Sequence, residues 1–240
     1  VSTPGRHPLA PLPEGGRDRL AALLQAGRHV ACVNWHTTPL RRRDAYAAQV
    51  AGLAARFEPM TPDALERIGE GWRPPRPLLM PILYEGFRDN LDVILPLLEE
   101  AGFTAWLAIP PGFLDVEPVD QRLFAATNTL IYPEDSYPGE RIVMTWDELG
   151  AATERGHTIV CHSRDHAVPV PGLPEPALEW EIASAQALFE RRIGLRPDIF
   201  CWRRGAGLGV EPRADAILKR EGFRWLLSNF SLQRIPQWPR

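Results

Sequence analysis

Two histidines stand four residues apart in the run HSRDH, His162 and His166. On a helical turn that spacing puts both imidazoles on one face, which suits two ligands of one metal ion; two uninvolved polar side chains are the competing reading. Glu85, in the run ILYEGFRDN, offers a carboxylate. Two imidazoles and one carboxylate with open positions are a common donor set for a hydrolytic divalent ion, with zinc the first candidate. Such an ion polarises a carbonyl and lowers the pKa of bound water. Asp165, between the histidines, is either a partner that orients one ring or a solvent-facing carboxylate.

These residues come from different parts of the chain, so strands and helices must bring them together. HVACVNW, His29 to Trp35, reads as a strand of buried types and runs into His36. LLMPIL, Leu78 to Leu83, reads as a second strand despite Pro81, and runs into Tyr84-Glu85-Gly86. Phe103 to Ile109 is a third, stopped by Pro110-Pro111-Gly112. His157 to Cys161 runs into His162, and Asp198 to Trp202 runs into Arg203-Arg204-Gly205. Phe223 to Ser228 is the last. Helical stretches alternate with them: Ala45 to Arg56, a short one opening at Thr61-Pro62, Asn90 to Ala101, one opening at the Thr145/Glu148 capping box, Pro176 to Ile193, and Pro212 to Glu221. The stretch from Gly112 to Arg141 is the least regular and could carry a lid or a substrate loop.

Strand and helix alternating this often argue for a mainly parallel sheet, open or closed into a barrel. In such folds sites gather where the strands end. Four strand ends deliver a His, a Glu, a His and an Arg pair to one rim. Arg203 and Arg204 are either a fork for a carboxylate or phosphate, or a solvated pair. Trp35 and Trp202 are candidate stacking faces for a sugar ring, whereas Trp106 lies within a strand and reads as core. Cys161 alternates with His162 and reads as a small buried residue.

The 240 residues carry a formal net charge of -3 and no long basic run, so nucleic acid is not the expected partner. The cluster Arg41-Arg42-Arg43 reads as a solvated loop or helix start. No apolar run reaches the roughly 20 residues of a membrane span. Residues 1–27 read as a Pro- and Gly-rich lead-in and a first helix with Leu20 and Leu24 that ends at Gly27; residues 28–240 read as one domain. Three scattered cysteines and no apolar signal core point to a reduced compartment, the cytoplasm, while export of a processed precursor stays open because the chain does not begin with Met.

On these motifs the chain resembles the polysaccharide deacetylases, the NodB-homology carbohydrate esterases, over about residues 28 to 236. NWH, ending at His36, is similar to the early motif of the poly-N-acetylglucosamine deacetylase subgroup. ILYEGFRDN takes the place of TFDDG(Y/F)RDN, HSRDH is intact, FCWRRG takes the place of the later motif, and LQRIP resembles the subgroup's ending. The resemblance implies a distorted (β/α)7 barrel. It implies metal-dependent hydrolysis of an N-acetyl or other N-acyl amide on an amino sugar or related small molecule. Under it His162, His166 and Glu85 are metal ligands and His36 is the general acid. The family's catalytic Asp is Tyr84 here, and a phenol with a pKa near 10 is no general base at neutral pH. Tyr84 then lines the pocket or donates to a substrate oxygen. A deacetylase fold that has lost its chemistry and binds a glycan or acylated metabolite is the alternative. The oligomeric state is open.

Overall fold

Side chains alternate across a strand with a period of two, and here that alternation divides the apolar residues between two cores. The protein is described from a computed structural model, which covers residues 29–228 and 231–236 together with Asp18 and Ala22. The expected lead-in and first helix, with Leu20, Leu24 and Gly27, lie outside the described residues.

The strands are β1 (Val30–Trp35), β2 (Glu58–Pro59), β3 (Leu78–Tyr84), β4 (Trp106–Ile109), β5 (Thr158–Cys161), β6 (Ile199–Cys201), β7 (Trp225–Leu227) and β8 (Leu232–Arg234). They form one sheet in the order β1-β3-β4-β5-β6-β7-β8, with β2 on β3. Every pairing is parallel except β7 with β8. The sheet curls into a half-barrel, the (β/α)-barrel class expected from the motifs. On its outer face Leu79, Leu83, Leu107, Ile109, Cys161 and Phe200 pack against the helices. On its inner face Met80, Ile82, Trp106, Ala108, Val160 and Cys201 form a second core. Met60, just before helix Pro62–Gly69, and Leu65 within it belong to that inner core.

Two short strands escaped the sequence reading, β2 and β8, because two or three residues carry no period. Pro81 sits inside β3, where a missing N–H should break the ladder. The register explains its tolerance. On that edge β2 ends opposite Leu79, and β4 begins opposite Ile82. The absent donor falls in the gap between them.

Two short helices, Pro111–Leu114 and Gln121–Thr127, lie in the stretch read as irregular, while the cap signals held. Thr61 caps its helix by accepting from the Ala64 N–H, and Thr145 and Glu148 close a full capping box. Arg41 to Arg43 lie on the surface at a helix start, with Arg41 forked onto Glu134. The helix read over Asn90 to Ala101 opens instead as a π turn, Asn90–Ile94, followed by α-helix Leu95–Glu100. Pro96, which cannot give an N–H to the preceding turn, lies just beyond the distortion. No helix among the described residues is long and apolar enough to cross a membrane.

Leu98 is wholly buried in the outer core. Leu98→Ala is expected to lower unfolding stability by about 2–5 kcal/mol, read as a shifted urea midpoint with an unchanged slope.

Candidate functional site

The C-terminal ends of β1, β3, β5 and β6 converge on a cavity of about 370 Å³. It is lined by Asn34, His36, Tyr84, Glu85, His162, His166, Trp202, Arg203 and Arg204, with Thr129 and Ile131 from the irregular segment. That volume lies within the ~300–1,000 Å³ of small-molecule sites.

Glu85 is the pivot. Its backbone N–H donates to the Ala108 carbonyl at 2.7 Å, which carries the β3–β4 ladder one residue further. Its φ of 74° is left-handed, a region a Glu enters only when its surroundings compel it. Gly86 follows at φ 71°, so close to Ile109 that a Cβ would stand 3.0 Å from its side chain. The turn thus throws the carboxylate inward. Glu85 is 2% exposed, and its Oε2 has no hydrogen-bond partner. Burial pushes its carboxyl up to about 8, against the opposing pull of Arg203.

Two histidines face it, and a third, His162, lines the same pocket. His166 Nε2 is 3.5 Å from Glu85 Oε1, and His36 Nε2 is 3.9 Å from the same oxygen. His162 and His166 meet edge to face, with ring centroids 4.9 Å apart. The Nδ1 of His166 bonds the Asn128 carbonyl at 2.8 Å, and that of His162 bonds the Cys201 carbonyl at 3.0 Å. A carbonyl only accepts, so both protons sit on Nδ1 and both Nε2 lone pairs are free. Burial drives the two rings down to about 3 (His162) and about 4 (His166), so both are neutral at pH 7. Burial lowers His36 as well.

A lone pair of His166 therefore faces a carboxylate oxygen across 3.5 Å. That contact needs a proton or a cation between the two atoms. Bonds of ~2.0–2.2 Å to one tetrahedral ion put two ligand atoms roughly 3.3 Å apart. Glu85, His166 and His162 are the donors that could hold a metal, and their types fit a zinc-like ion. Among the described residues, however, no group of three such side chains is already arranged to hold one. Tyr84 lies among these rings: it stacks on His36 at 5.0 Å and meets His162 edge-on at 5.2 Å. Burial raises the Tyr84 phenol, which stays protonated.

Other expectations are met unevenly. Arg203 and Arg204 line the pocket, Arg204 at a left-handed φ of 65°. Trp202 lines its base but is 2% exposed and packed edge-on against Phe200, which leaves little ring face for a sugar. Trp35 is not among the lining residues. It points to the outer core and donates its indole N–H to Gln49, because alternation along β1 turns Asn34 inward and Trp35 outward. Asp165 orients neither histidine. It accepts from the Trp180 indole, and its backbone N–H donates to Glu181. The rings are oriented by carbonyls instead, which no sequence motif displays.

Asn90 was read only as the start of a helix. Its side chain is fully buried and donates to the carbonyls of His36 and Tyr84, tying the ends of β1 and β3 together. Thr38 completes the tie by donating to the Asn90 side-chain oxygen or the Asp89 carbonyl. Asn34 was missed too, although its period-two relation to His36 was a usable signal.

Gly112 packs directly under the HSRDH loop. A Cβ there would stand 2.8 Å from the Arg164 carbonyl and closer still to the Asp165 carboxylate. Gly112→Ala should shift His162 and His166 and lower any activity at least tenfold, visible as displaced histidine resonances by NMR. A second expectation concerns pH. Glu85 keeps its proton to about 8 when folded but loses it near 4.5 when unfolded, so its contribution to stability is complete below 4.5 and is lost as pH rises through 8. The buried histidines, with unfolded values near 6.5, act below that pH. Chelator-treated protein should lose stability between pH 6.5 and 8, and Glu85→Gln should flatten that limb of a thermal-melt series.

No family model matches the sequence, and no curated protein matches it. Solved structures do. IcaB from Ammonifex degensii aligns at a TM-score of 0.63 and 19% identity, covering 83% of each chain. The de-N-acetylase from Aggregatibacter actinomycetemcomitans aligns at 0.60 and 14%, covering 87% of this chain and 89% of that one. The Streptococcus pyogenes deacetylase PplD, solved with acetate, aligns at 0.60 and 10%, covering 85% and 84%. The chain therefore shares the fold of these deacetylases, at sequence identities of 10–19%.

Proposed function

We propose that the protein hydrolyses the N-acyl amide of an amino sugar, releasing a carboxylic acid and a free amine, with a zinc-like ion held by Glu85, His162 and His166. The observation that carries this reading is the buried Glu85 carboxylate facing the free Nε2 of His166 at 3.5 Å, with its second oxygen unpartnered. When bound, the ion supplies Lewis-acid polarisation of the amide carbonyl.

The chain's own residues supply the proton traffic. His36 faces Glu85 across the pocket, and its side chain is 46% exposed, so substrate and water reach it. Burial favours its neutral form. A neutral His36 accepts a proton as water oxygen adds to the amide carbon, and the imidazolium then returns that proton to nitrogen as the C–N bond breaks. One residue thereby serves as base and acid, which removes the need for the aspartate that Tyr84 replaces. Tyr84 stacks on the His36 ring and fixes its plane. Arg203, beside Glu85 on the rim, meets negative charge that develops on or accompanies the substrate. Carbohydrate and N-acylated small molecules are the substrates and partners this reading carries.

Acid release from N-acetylglucosamine oligomers is the assay. His36→Ala and His166→Ala should each lower kcat about 10²–10⁴-fold, and a chelator should abolish turnover until zinc is restored. Undiminished turnover in either variant, or in chelator, overturns the assignment. Tyr84→Asp should change the rate less than His36→Ala does; activity seen only with Tyr84→Asp would show that His36 cannot serve as base.

A further inference from the structure

Behind the site lies a second cavity, about 640 Å³, on the inner side of the half-barrel. Its walls are Cys32, Met80, Ile82 and Leu227, and helix Pro62–Gly69 closes its floor with Leu65 and Ile68. None of the described lining residues is charged. Asn34 and Tyr84 line both this cavity and the polar pocket, so the two adjoin.

The cavity follows from how the sheet ends. β1 packs its outward side chains into the outer core, but Val30, Cys32 and Asn34 turn inward and are exposed. Among the described residues no pairing joins β1 to β7 or β8, and Trp225, Leu227 and Leu232 face β1 across the cavity instead. Apolar surface left open in this way forgoes about 25 cal/mol per Å², a stabilisation available to any apolar guest.

Resting on the hydrolase reading above, we propose that this cavity binds the acyl chain of the substrate, so that the substrate class is a medium-chain N-acyl amino sugar rather than an N-acetyl one. The scissile amide has two ends of opposite character, and so does the cleft. The sugar end lies among Arg203, Arg204 and His36 at the rim. The acyl end passes Tyr84 and runs down β1 from Asn34 towards Val30, roughly 13 Å at about 3.3 Å per residue. That is the length of a medium-chain acyl group. The ring of Tyr84 separates the polar pocket from the apolar cavity and lies alongside the first methylenes.

The test compares N-acetyl, N-butyryl and N-octanoyl glucosamine in two readouts, calorimetric binding to zinc-loaded Glu85-containing protein under a poorly hydrolysed pH, and kcat/KM. The N-octanoyl compound should bind at least tenfold more tightly than the N-acetyl one. Cys32→Trp, which fills the cavity from an exposed strand position, should erase that difference and leave N-acetyl binding within twofold. Ile68→Trp fills the same space from the floor and serves if Cys32→Trp does not fold. Equal affinity along the series, or chain-length preference unchanged in both filled variants, overturns the acyl cavity while leaving the hydrolase intact. Tight, variant-sensitive N-octanoyl binding without hydrolysis of any of the three overturns the hydrolase reading and upholds the cavity.

Discussion

A carboxylate forced into a dry pocket is the constraint around which the rest of this molecule is arranged. Glu85 is 2% exposed with one oxygen unpartnered, and the other faces two histidine Nε2 atoms. Left alone such a group keeps its proton, which is why burial pushes it to about 8. The backbone is strained to hold it there. Five described non-glycine residues have left-handed φ: Glu85, Thr129, Ser163, His166 and Arg204. Four line the pocket, and Ser163 adjoins His162. Such residues cost about 1–3 kcal/mol each, and they persist because the surrounding ladder and core leave them no alternative. The Glu85 N–H is held by Ala108, the HSRDH loop rests on Gly112, and Asn90 bolts two strand ends together.

The sheet carries two different burdens on its two faces. The outer face is a conventional apolar layer under helices, and it supplies the rigidity that the strained rim requires. The inner face is only partly filled. Trp106, Ala108, Val160 and Cys201 close it near the centre of the sheet, and the side next to β1 stays open. Tyr84 stands where these two environments meet. A phenol at that position constrains the chemistry, since a desolvated phenol takes no proton from water at neutral pH. It also supplies a flat apolar wall between a polar rim and an apolar interior.

How much of this was legible in the sequence depends on the range of the interactions involved. Thr61 and Thr145 announced their helices because capping is a contact over three residues. Cys161 and Trp106 were readable as buried because strand alternation is local. The same rule, applied to β1, would have removed Trp35 from the stacking candidates and added Asn34. The partners of His162 and His166 were not readable, because they are backbone carbonyls of residues 39 and 38 positions away. Asp165 looked like a histidine partner only because it was adjacent in the chain.

The amino-acid sequence by itself determined the alternation of strand and helix, the polar residues at the strand ends, and a phenol beside Glu85. Those are properties of residue type and short spacing. Only the tertiary structure decided that Glu85 is buried and faces His166, that Trp35 turns away, and that an apolar cavity opens behind Tyr84. Each of those depends on how far the sheet curls and where its edge strands stop, which is set by packing among segments remote in the chain.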